Sequence, residues 1–463
     1  MDGRRWQRQI ERLSIRERRI GVTGFARSGK TVFIAAAAQA LLTAHAWQER
    51  RGQGPLAGFA AFECRRLRSA RIRHDLYPTL PQFPFHAVRD SLVGKSAHWP
   101  VPTEGISRLV LELDFAPQAL VKRWLDKQHL GRTWLRLEIV DYPGEWLIDL
   151  PMLEQSYAQW SRGMWQLATQ PAREALSAEY RRRASELSAR EGFDEEDVAA
   201  LATSWAQYLR AAAEAGLTLN QPGRALRPDS LRGSPVLRFA PLPEESAPAP
   251  LVARMRERFE GYKRDVIRPF FRESFARIDR QIVLVDTVRV VEQGAPVFDE
   301  MVAALRETLR SFNYSKGGPL ARLMGARTSK VLFAATKADH VVRADRANLE
   351  NLLRGMLALV DESLPGKAAR VGVMALASVR ATEDYLTAQP PQRQILYGKP
   401  AGAAAPGQWD PGGLPLDIPP DWERVFFRYL RFEPPLIAHA LQEGFSTINL
   451  GKALNFLIGE DAP

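Results

Sequence analysis

A glycine-rich segment near the start of the sequence carries the residue types that bind phosphate. It reads GFARSGKT at positions 24–31, a G-x-x-x-x-G-K-T motif. Glycines let the backbone curl so that consecutive N–H groups face one point, and a helix beginning there adds partial positive charge. Lys30 is expected to reach the β- and γ-phosphates of a nucleotide, and Thr31 to give a hydroxyl to Mg²⁺. The alternative is a glycine-rich turn with a surface lysine.

A second motif follows the strand-like run LRLEIVD at 135–141, which ends in the turn DYPG. Asp141 stands where a carboxylate can hold Mg²⁺, usually through water, and the N–H of Gly144 can reach a γ-phosphate. By itself, Asp-x-Pro-Gly is also a common turn sequence. Its place on the next parallel strand after the phosphate loop favours the functional interpretation.

A third motif, TKAD at 336–339, closes the run VLFAAT. Asp339 can accept two hydrogen bonds from guanine, which adenine cannot offer, while the Lys337 stem packs on the base. The order of the three motifs favours GTP over ATP. A fourth segment after VGVMALA places Ser378 and Val379 where a backbone N–H can contact the guanine oxygen, although a plain strand-to-loop junction accounts for it almost as well.

Four further residues have two interpretations each. Thr103 precedes the run LVLELDF (109–115) and is either a switch threonine that contacts Mg²⁺ and the γ-phosphate or an ordinary loop residue. Glu145 stands where a glutamine often orients the attacking water. Its carboxylate either positions water in the same way or, through its charge beside the γ-phosphate, makes intrinsic hydrolysis slow. Arg27 either stabilises the transition state or is a solvated loop arginine. Trp99 either stacks near the nucleotide or anchors packing.

The sequence thus predicts one site for GTP or GDP with Mg²⁺. The predicted catalytic residues are Lys30, Thr103, Glu145 and Arg27. The predicted metal ligands are Thr31, Thr103 and Asp141. The predicted nucleotide contacts are Gly24, Ala26, Arg27, Ser28, Gly29, Lys30, Thr31, Val32, Trp99, Gly144, Thr336, Lys337, Asp339, His340, Ser378 and Val379.

The sequence around these motifs predicts an α/β fold. Five short apolar runs alternate with helical patterns and indicate buried parallel strands, starting at positions 20, 135, 281, 331 and 370. The apolar periodicity over 4–19 also predicts a helix, and a final helix is predicted from Asp421 to about Arg431. Between about 150 and 280 the pattern is almost entirely helical. We therefore predict a P-loop core at 1–150 and 281–463, with a mostly parallel sheet, and an inserted α-helical domain at 151–280.

With these motifs in place the chain resembles the Ras-like, translation-factor-related GTPases, and more closely the YcjX-like family of bacterial P-loop stress proteins. The closer resemblance rests on six segments: GVTGFARSGKT (21–31), HWPVPTEGIS (98–107), DYPGEWLIDLP (141–151), QIVLVD (281–286), ATKADHV (335–341) and INLGKALNFLIG (448–459). It implies GTP binding and hydrolysis with Mg²⁺, a helical domain inserted in the GTPase core, and a role in stress response.

Composition excludes several other classes. The single cysteine, Cys64, cannot form an internal disulfide, and the seven histidines never pair at helical spacing, so a Cys- or His-built metal site is not expected. Neither a signal peptide nor a stretch that could span a membrane is evident, which favours a cytoplasmic protein, at most peripheral to the membrane.

The charge of the chain is concentrated near its start. Sixteen Lys and Arg stand against six Asp and Glu in residues 1–75, within a total net charge of +11. No nucleic acid partner is expected, because the remainder is nearly neutral. The segment Arg4–Arg19 is either a surface helix that contacts anionic lipid or an acidic partner, or a helix packed on the core. A protein partner, which could be membrane-associated, is expected but not identified.

Overall fold

The computed structural model describes residues 15–25, 27–50, 53–76, 81–94, 96–101, 105–116, 133–243, 247–313, 328–361, 370–388, 390–436 and 439–462. Two predicted site residues, Ala26 and Thr103, lie outside the described residues. So does the part of the predicted N-terminal helix before Ile15.

A seven-stranded sheet forms the centre of the fold. Its strands are β1 (Ile15–Gly24), β2 (Leu67–Ile72), β3 (Ser107–Phe115), β4 (Thr133–Asp141), β5 (Arg280–Val285), β6 (Lys330–Ala335) and β7 (Arg370–Ala375). They lie in the order β2-β3-β4-β1-β5-β6-β7. The strands from β4 to β7 in this order are parallel, and β2 and β3 extend the sheet in antiparallel fashion. The predicted mostly parallel sheet is therefore confirmed.

Helices connect and cover these strands. They are α1 (Lys30–Leu42), α2 (Ala60–Glu63), α3 (Phe85–Ser91), α4 (Tyr157–Ala168), α5 (Pro171–Ser188), α6 (Glu195–Glu214), α7 (Gly223–Leu226), α8 (Ala249–Tyr262), α9 (Arg268–Glu273), α10 (Thr287–Gln293), α11 (Ala295–Asn313), α12 (Arg346–Asp361), α13 (Ala440–Glu443) and α14 (Leu450–Ile458). A π-helical segment, Lys263–Ile267, joins α8 to α9. Short 3₁₀ turns include Gly144–Trp146, Leu150–Glu154, Asp229–Leu231 and Trp422–Arg424.

Both faces of the sheet are covered, as the apolar runs require. Ile282 and Leu284 of β5 join one hydrophobic cluster with α1 and α14, and the alternate residues Val283 and Val285 join a second with α11 and α12. Because successive side chains of a strand point to opposite faces, a strand with apolar residues at every position must lie between two layers.

Six helices, α4 to α9, are inserted between β4 and β5. Two of them begin with capping boxes, at Ser156 with Gln159 and at Asp194 with Asp197, which satisfy N–H groups that the helix leaves open. Their aromatic core belongs to the same hydrophobic cluster as one face of the sheet. The division into a core at 1–150 and 281–463 and a helical domain at 151–280 stays a prediction.

A buried ion pair ties this insertion to the core. Arg173 of α5 donates from Nε and Nη2 to the two carboxylate oxygens of Glu300 in α11, at 2.5 and 2.7 Å. The same guanidinium reaches Tyr208 and Asn220, and the N–H of Thr218 donates to Glu300. Every charged atom of the pair is thus engaged, which burial of charge demands.

The predicted helix over 4–19 is wrong in its described part. Ile15 to Arg19 belong to β1, in parallel register with Trp134 to Glu138 of β4. Two of its arginines are held in ion pairs, Arg19 with Glu138 at 2.5 Å and Arg18 with Asp461 at 2.7 Å. The charged sequence of residues 15–19 is compatible with a helix or a strand. Hydrogen bonding to β4 makes it a strand.

The basic segment at 65–73 contains a strand that the sequence did not predict. Arg71 of this strand, β2, and Arg73 just after it both pair with Glu112 of β3, at 2.7 and 2.6 Å. Two of the arginines of this segment are therefore paired with an acidic residue of the sheet.

The predicted helix from Asp421 to Arg431 is wrong as well. Only Trp422–Arg424 forms a 3₁₀ turn, and Val425 is already extended. Phe427 and Phe432 then bridge to Gly412 and Pro400. β-Branched and aromatic residues favour extended backbone, so local propensity here supports the observed structure. Beside this segment lies an unpredicted antiparallel sheet of β8 (Thr382–Leu386), β9 (Gln394–Gly398) and β10 (Gly407–Trp409).

Candidate nucleotide-binding site

The GFARSGKT segment is the turn between β1 and α1. Gly24 and Gly29 have φ angles of +156° and +91°, which glycine adopts without strain. A Cβ at Gly24 would overlap the carbonyl oxygen of Leu284 in the neighbouring strand β5. Lys30 Nζ donates to the carbonyl oxygen of Gly24 at 2.5 Å, so the ammonium group lies over the turn. The strand, turn and helix have the order that a phosphate-binding loop requires.

The DYPG turn touches this loop. Asp141 ends β4 in register with Val22 of β1, and it is buried. A Cβ at Gly144 would lie 2.7 Å from the carbonyl carbon of Gly24, so the two backbones are in direct contact. The motifs that follow two adjacent parallel strands therefore meet at one edge of the sheet, as the sequence predicts.

Glu145 lies at the same edge. Its side chain is 5% exposed, and it faces a cavity beside Ser28. Within the described residues, its Oε2 atom has no hydrogen-bond partner. A buried carboxylate oxygen that lacks a partner indicates a place where a water molecule or ligand is accommodated.

The TKAD motif follows β6 at the opposite side of the loop. Thr336 N–H donates to the carbonyl oxygen of Val285 at 2.9 Å. Lys337 Nζ donates to Asp286 at 2.5 Å and to the Tyr429 hydroxyl at 3.0 Å. Burial alone would lower the pKa of Lys337, but these two partners outweigh it and raise the pKa above its ordinary value. The Lys337 ammonium is thus fixed in its charged form.

Asp339 is held in its charged form as well. Burial opposes ionisation of its carboxyl group, but His340 at 3.3 Å and the Ala381 N–H at 2.8 Å outweigh burial and lower the pKa of Asp339. An ionised carboxylate accepts hydrogen bonds only, which suits a base that presents two N–H donors. Beyond β7, Ser378 and Val379 line the same space.

These segments enclose a cavity of about 590 Å³, within the size range of ligand pockets. The predicted site residues that line it are Arg27, Ser28, Gly29, Lys30, Thr31, Val32, Trp99, Glu145, Thr336, Lys337, Asp339, His340, Ser378 and Val379. Gly24, Asp141 and Gly144 lie behind this lining, in the backbone turns described above. Arg27 is exposed, with a φ of +65°.

One wall of the cavity comes from the extended segment after Val425. The Tyr429 ring stacks on His340, with centroids 5.4 Å apart, and Phe432 contacts the same imidazole edge-on. Trp99 Nε1 donates to the Phe432 carbonyl oxygen at 2.7 Å. Trp99 also packs against hydrophobic clusters, so it is a packing anchor that lines the cavity.

Sequence reasoning missed several residues of this site. Asp286 and Arg289 follow β5, and a carboxylate at the end of a parallel strand is a signal that could have pointed to Asp286. Tyr429 and Phe432 carried no signal, because the predicted helix placed them wrongly. Arg227 belongs to the inserted helices, and nothing in the local sequence connects it to the cavity.

The segment Gln221–Leu231, here called the junction segment, connects the insertion to the DYPG region. The N–H of Gly223 donates to both carboxylate oxygens of Asp149, at 2.8 and 2.9 Å, and the Tyr262 hydroxyl donates to the same group at 2.6 Å. The Arg224 guanidinium lies 3.2 Å from the centre of the Trp146 ring. Burial raises the pKa of Asp149 to about 7, although these hydrogen bonds and Arg224 oppose the rise.

The donor set at the loop fits Mg²⁺ in kind. Thr31 offers a hydroxyl in the first turn of α1, and Asp141 offers a carboxylate at the end of β4. Among the described residues there is no group of three or more His, Cys, Asp and Glu side chains placed to hold a metal. A Mg²⁺ ion typically takes one or two protein oxygens and completes its shell with phosphate and water oxygens, so this pair suffices. Within the same residues, no helix is long and apolar enough to cross a membrane.

Comparison with known proteins identifies the family of this chain. The family model of the YcjX-like family, DUF463, matches residues 18–461. A protein of Escherichia coli named Ras-like GTPase YcjX is 35% identical over 459 residues, covering 96% of each chain. A protein of the same name from Shewanella oneidensis is 30% identical over 477 residues, covering 98% of this chain and 96% of its own. The motif order, the fold and these full-length matches agree: the chain belongs to the YcjX-like family.

Proposed function

We propose that this protein binds GTP and GDP with Mg²⁺ and hydrolyses GTP to GDP and phosphate. The observation that carries the proposal is the cavity itself, which brings the GFARSGKT turn, Glu145 beside the DYPG turn, and the TKAD residues to one space. The names of the two relatives support the same activity. The stress-related role rests on the family resemblance alone.

In this proposal the two ends of the cavity bind different parts of the nucleotide. Backbone N–H groups of the loop and Lys30 would hold the phosphates, and Asp339 would select guanine by accepting from its N1–H and 2-amino groups. Thr31 and Asp141 would hold Mg²⁺, which neutralises phosphate charge when bound. Ser378 would offer a backbone N–H to the guanine oxygen. Thr103 keeps its proposed role as a switch threonine.

Hydrolysis needs a positioned water molecule. Its oxygen forms a bond to the γ-phosphorus while the bond to the β–γ bridging oxygen breaks, and that oxygen leaves on GDP. Both protons of the water leave on the phosphate product. Glu145 lines the cavity, and its buried Oε2 atom has no hydrogen-bond partner among the described residues, so we assign it the role of orienting this water. Loss of the γ-phosphate would then release the segments near 95–107 and 141–155, which makes the protein a conformational switch.

The test is a competition assay with GTP, GDP and ATP in the presence of Mg²⁺, followed by phosphate release. We expect GTP and GDP to compete well and ATP to be at least about a hundredfold weaker, as the missing hydrogen bonds of adenine imply. ATP binding as tight as GTP binding would contradict the guanine assignment.

The phosphate loop has a separate test. Lys30→Ala should abolish tight nucleotide binding in calorimetry, since Lys30 is the loop residue expected to reach the β- and γ-phosphates. The matched control is Lys399→Ala, which changes an exposed lysine directly after β9. Unchanged affinity of the Lys30 variant would overturn the loop assignment.

A second candidate is a nucleotide-dependent scaffold with negligible turnover, whose helical insertion binds a partner protein. It is favoured by Glu145, a charged residue where water is oriented, and by the tight junction between the insertion and the DYPG region. Tight GTP binding without phosphate release, with and without candidate partners, would support the scaffold over the enzyme.

A further inference from the structure

Arg227 brings a positive charge from the inserted helices to the nucleotide cavity. It lies in the junction segment directly after α7, and its side chain lines the cavity together with Glu145 and Lys30. Within the described residues, its guanidinium makes neither a hydrogen bond nor an ion pair. Its neighbours differ: Arg224 lies on the Trp146 ring, and Arg289 donates to the carbonyl oxygen of Glu214.

The contacts of the junction segment place Arg227 at the phosphate end of the cavity. A Cβ at Gly223 would overlap the carbonyl oxygen of Glu145, so the segment lies directly against the DYPG region. Gly144 in turn touches the phosphate loop at Gly24. On the other side of Arg227, the Asp229 carboxylate lies 2.6 Å from where a Cβ of Gly105 would be. The base end, at Asp339 and Ser378, is built by other elements.

Glu145 provides an independent reason for a cation there. Its carboxylate is buried, faces the cavity, and keeps one oxygen without a hydrogen-bond partner in the described part of the chain. The Glu145 carboxylate and a γ-phosphate are both negative and repel each other, unless a positive charge lies close to both. A guanidinium can donate to a phosphate oxygen and a carboxylate at once, because its donors form a planar fork.

We propose that Arg227 binds the γ-phosphate of GTP and acts with Glu145 as a catalytic pair supplied within one chain. This inference rests on the GTP hydrolysis proposed above. Glu145 orients the water whose oxygen bonds to the γ-phosphorus, and Arg227 donates to the γ-phosphate oxygens while the bond to the bridging oxygen breaks. Arg227 thereby offsets the charge of both Glu145 and the phosphate. The inserted helices thus complete the active site.

The experiment measures single-turnover hydrolysis of GTP by the full chain, with dissociation constants for GDP. The variants are Arg227→Ala, Arg227→Lys, Glu145→Gln and the double variant Arg227→Ala/Glu145→Gln. The control is Arg264→Ala, which changes an exposed arginine of the insertion whose ion pair is with its neighbour Asp265. Melting temperatures establish that each variant is folded.

We expect Arg227→Ala to slow hydrolysis about a hundredfold or more, in line with other arginines that contact a transferring phosphoryl group. Its affinity for GDP should stay within about twofold, because GDP lacks the γ-phosphate. Arg227→Lys should recover less than about a tenth of the rate, since it loses the fork. The double variant should be little slower than the slower single variant, because the two residues act as a unit.

Three outcomes would overturn the proposal. One is Arg227→Ala hydrolysis within about threefold of an active parent protein. Another is a loss of GDP affinity equal to the loss of rate, which indicates a structural role. The third is additive effects of the two single substitutions. A parent protein that binds no GTP or releases no phosphate would instead contradict the proposed function, which separates the two failures.

Discussion

Asp339 is the residue that we propose selects the base. It is buried, ionised and aimed into the cavity, and one of its oxygens is held by the Ala381 N–H at 2.8 Å. Its orientation is therefore fixed before any base arrives. Preorganisation of this kind gives selectivity, because a base without matching donors leaves the buried charge unpaired.

Asp339→Asn should move the preference of the protein from GTP toward xanthosine triphosphate. The amide would donate to the 2-oxo group of xanthine where the carboxylate accepts from the 2-amino group of guanine. The measurement is the ratio of the two dissociation constants, and we expect it to change by at least about a hundredfold. An unchanged ratio in a variant with normal melting temperature would contradict this role.

Asp149 is a second residue with a defined consequence. Its folded-state pKa is about 7, so between about pH 4 and pH 7 the folded protein keeps a proton that the unfolded chain has released. The free energy of unfolding should therefore fall as pH rises through this range, by at most about 1.4 kcal/mol per pH unit. Above pH 7 the contribution is lost and the dependence ends.

Asp149→Asn should remove that slope. An amide can accept from Gly223 N–H and donate to the Tyr262 oxygen without taking up or releasing a proton. Urea denaturation of the parent and the variant at several pH values is the measurement. Equal slopes in the two proteins would show that Asp149 titrates near its ordinary pKa.

At the scale of elements, a buried ion pair links α5 to α11. Arg173→Met should lower the free energy of unfolding by about 3–5 kcal/mol, because Glu300 would stay buried without its partner. The double variant Arg173→Met/Glu300→Leu should regain much of this loss, since no buried charge remains. Denaturant titrations test both. A single-variant loss below about 1 kcal/mol would contradict the argument.

Elements with local signals were predictable from the sequence, and elements defined by distant contacts were not. The apolar runs gave the five parallel strands, and the glycines of the GFARSGKT turn gave the link from β1 to α1. Strand β2 was missed because two of its six residues are arginines that interrupt the apolar pattern, and the partner of Arg71, Glu112, is on another strand. The Asp421–Arg431 helix was predicted from periodicity, but its bridges to residues near 400 and 412 determine the structure.

The same reasoning applies to the site. Lys30, Thr31, Asp141 and Asp339 belong to short motifs whose spacing carries the chemistry. Arg227 and Tyr429 reach the cavity only through the packing of whole elements, and no spacing in the sequence connects them to it. A motif search therefore finds the residues proposed to hold the nucleotide, and tertiary structure is needed to find the residues that surround them.

At the scale of the whole molecule, the first described strand sets a limit for truncation. Residues 15–18 pair with β4, so removing residues 1–18 also removes part of β1, whereas removing residues 1–14 leaves it intact. We expect the longer truncation to lower the melting temperature relative to the shorter one. Equal melting temperatures would show that this end of β1 contributes nothing.

The shorter truncation is also the clean test of the lipid hypothesis. Co-sedimentation with vesicles of anionic lipid compares the full chain with the chain that lacks residues 1–14. Loss of co-sedimentation would locate a lipid contact in those residues. Equal sedimentation would exclude them.

The wall of the cavity also has a consequence for folding during synthesis. Trp99 donates to Phe432 across 333 positions, so the pocket joins an early and a late part of the polypeptide. During synthesis the phosphate loop leaves the ribosome long before Tyr429 and Phe432 do, and domains fold as their residues emerge. An enclosed nucleotide therefore requires a nearly finished polypeptide. Nascent chains cut short before Tyr429 would carry the loop without the pocket, and nucleotide retention would distinguish finished molecules from unfinished ones.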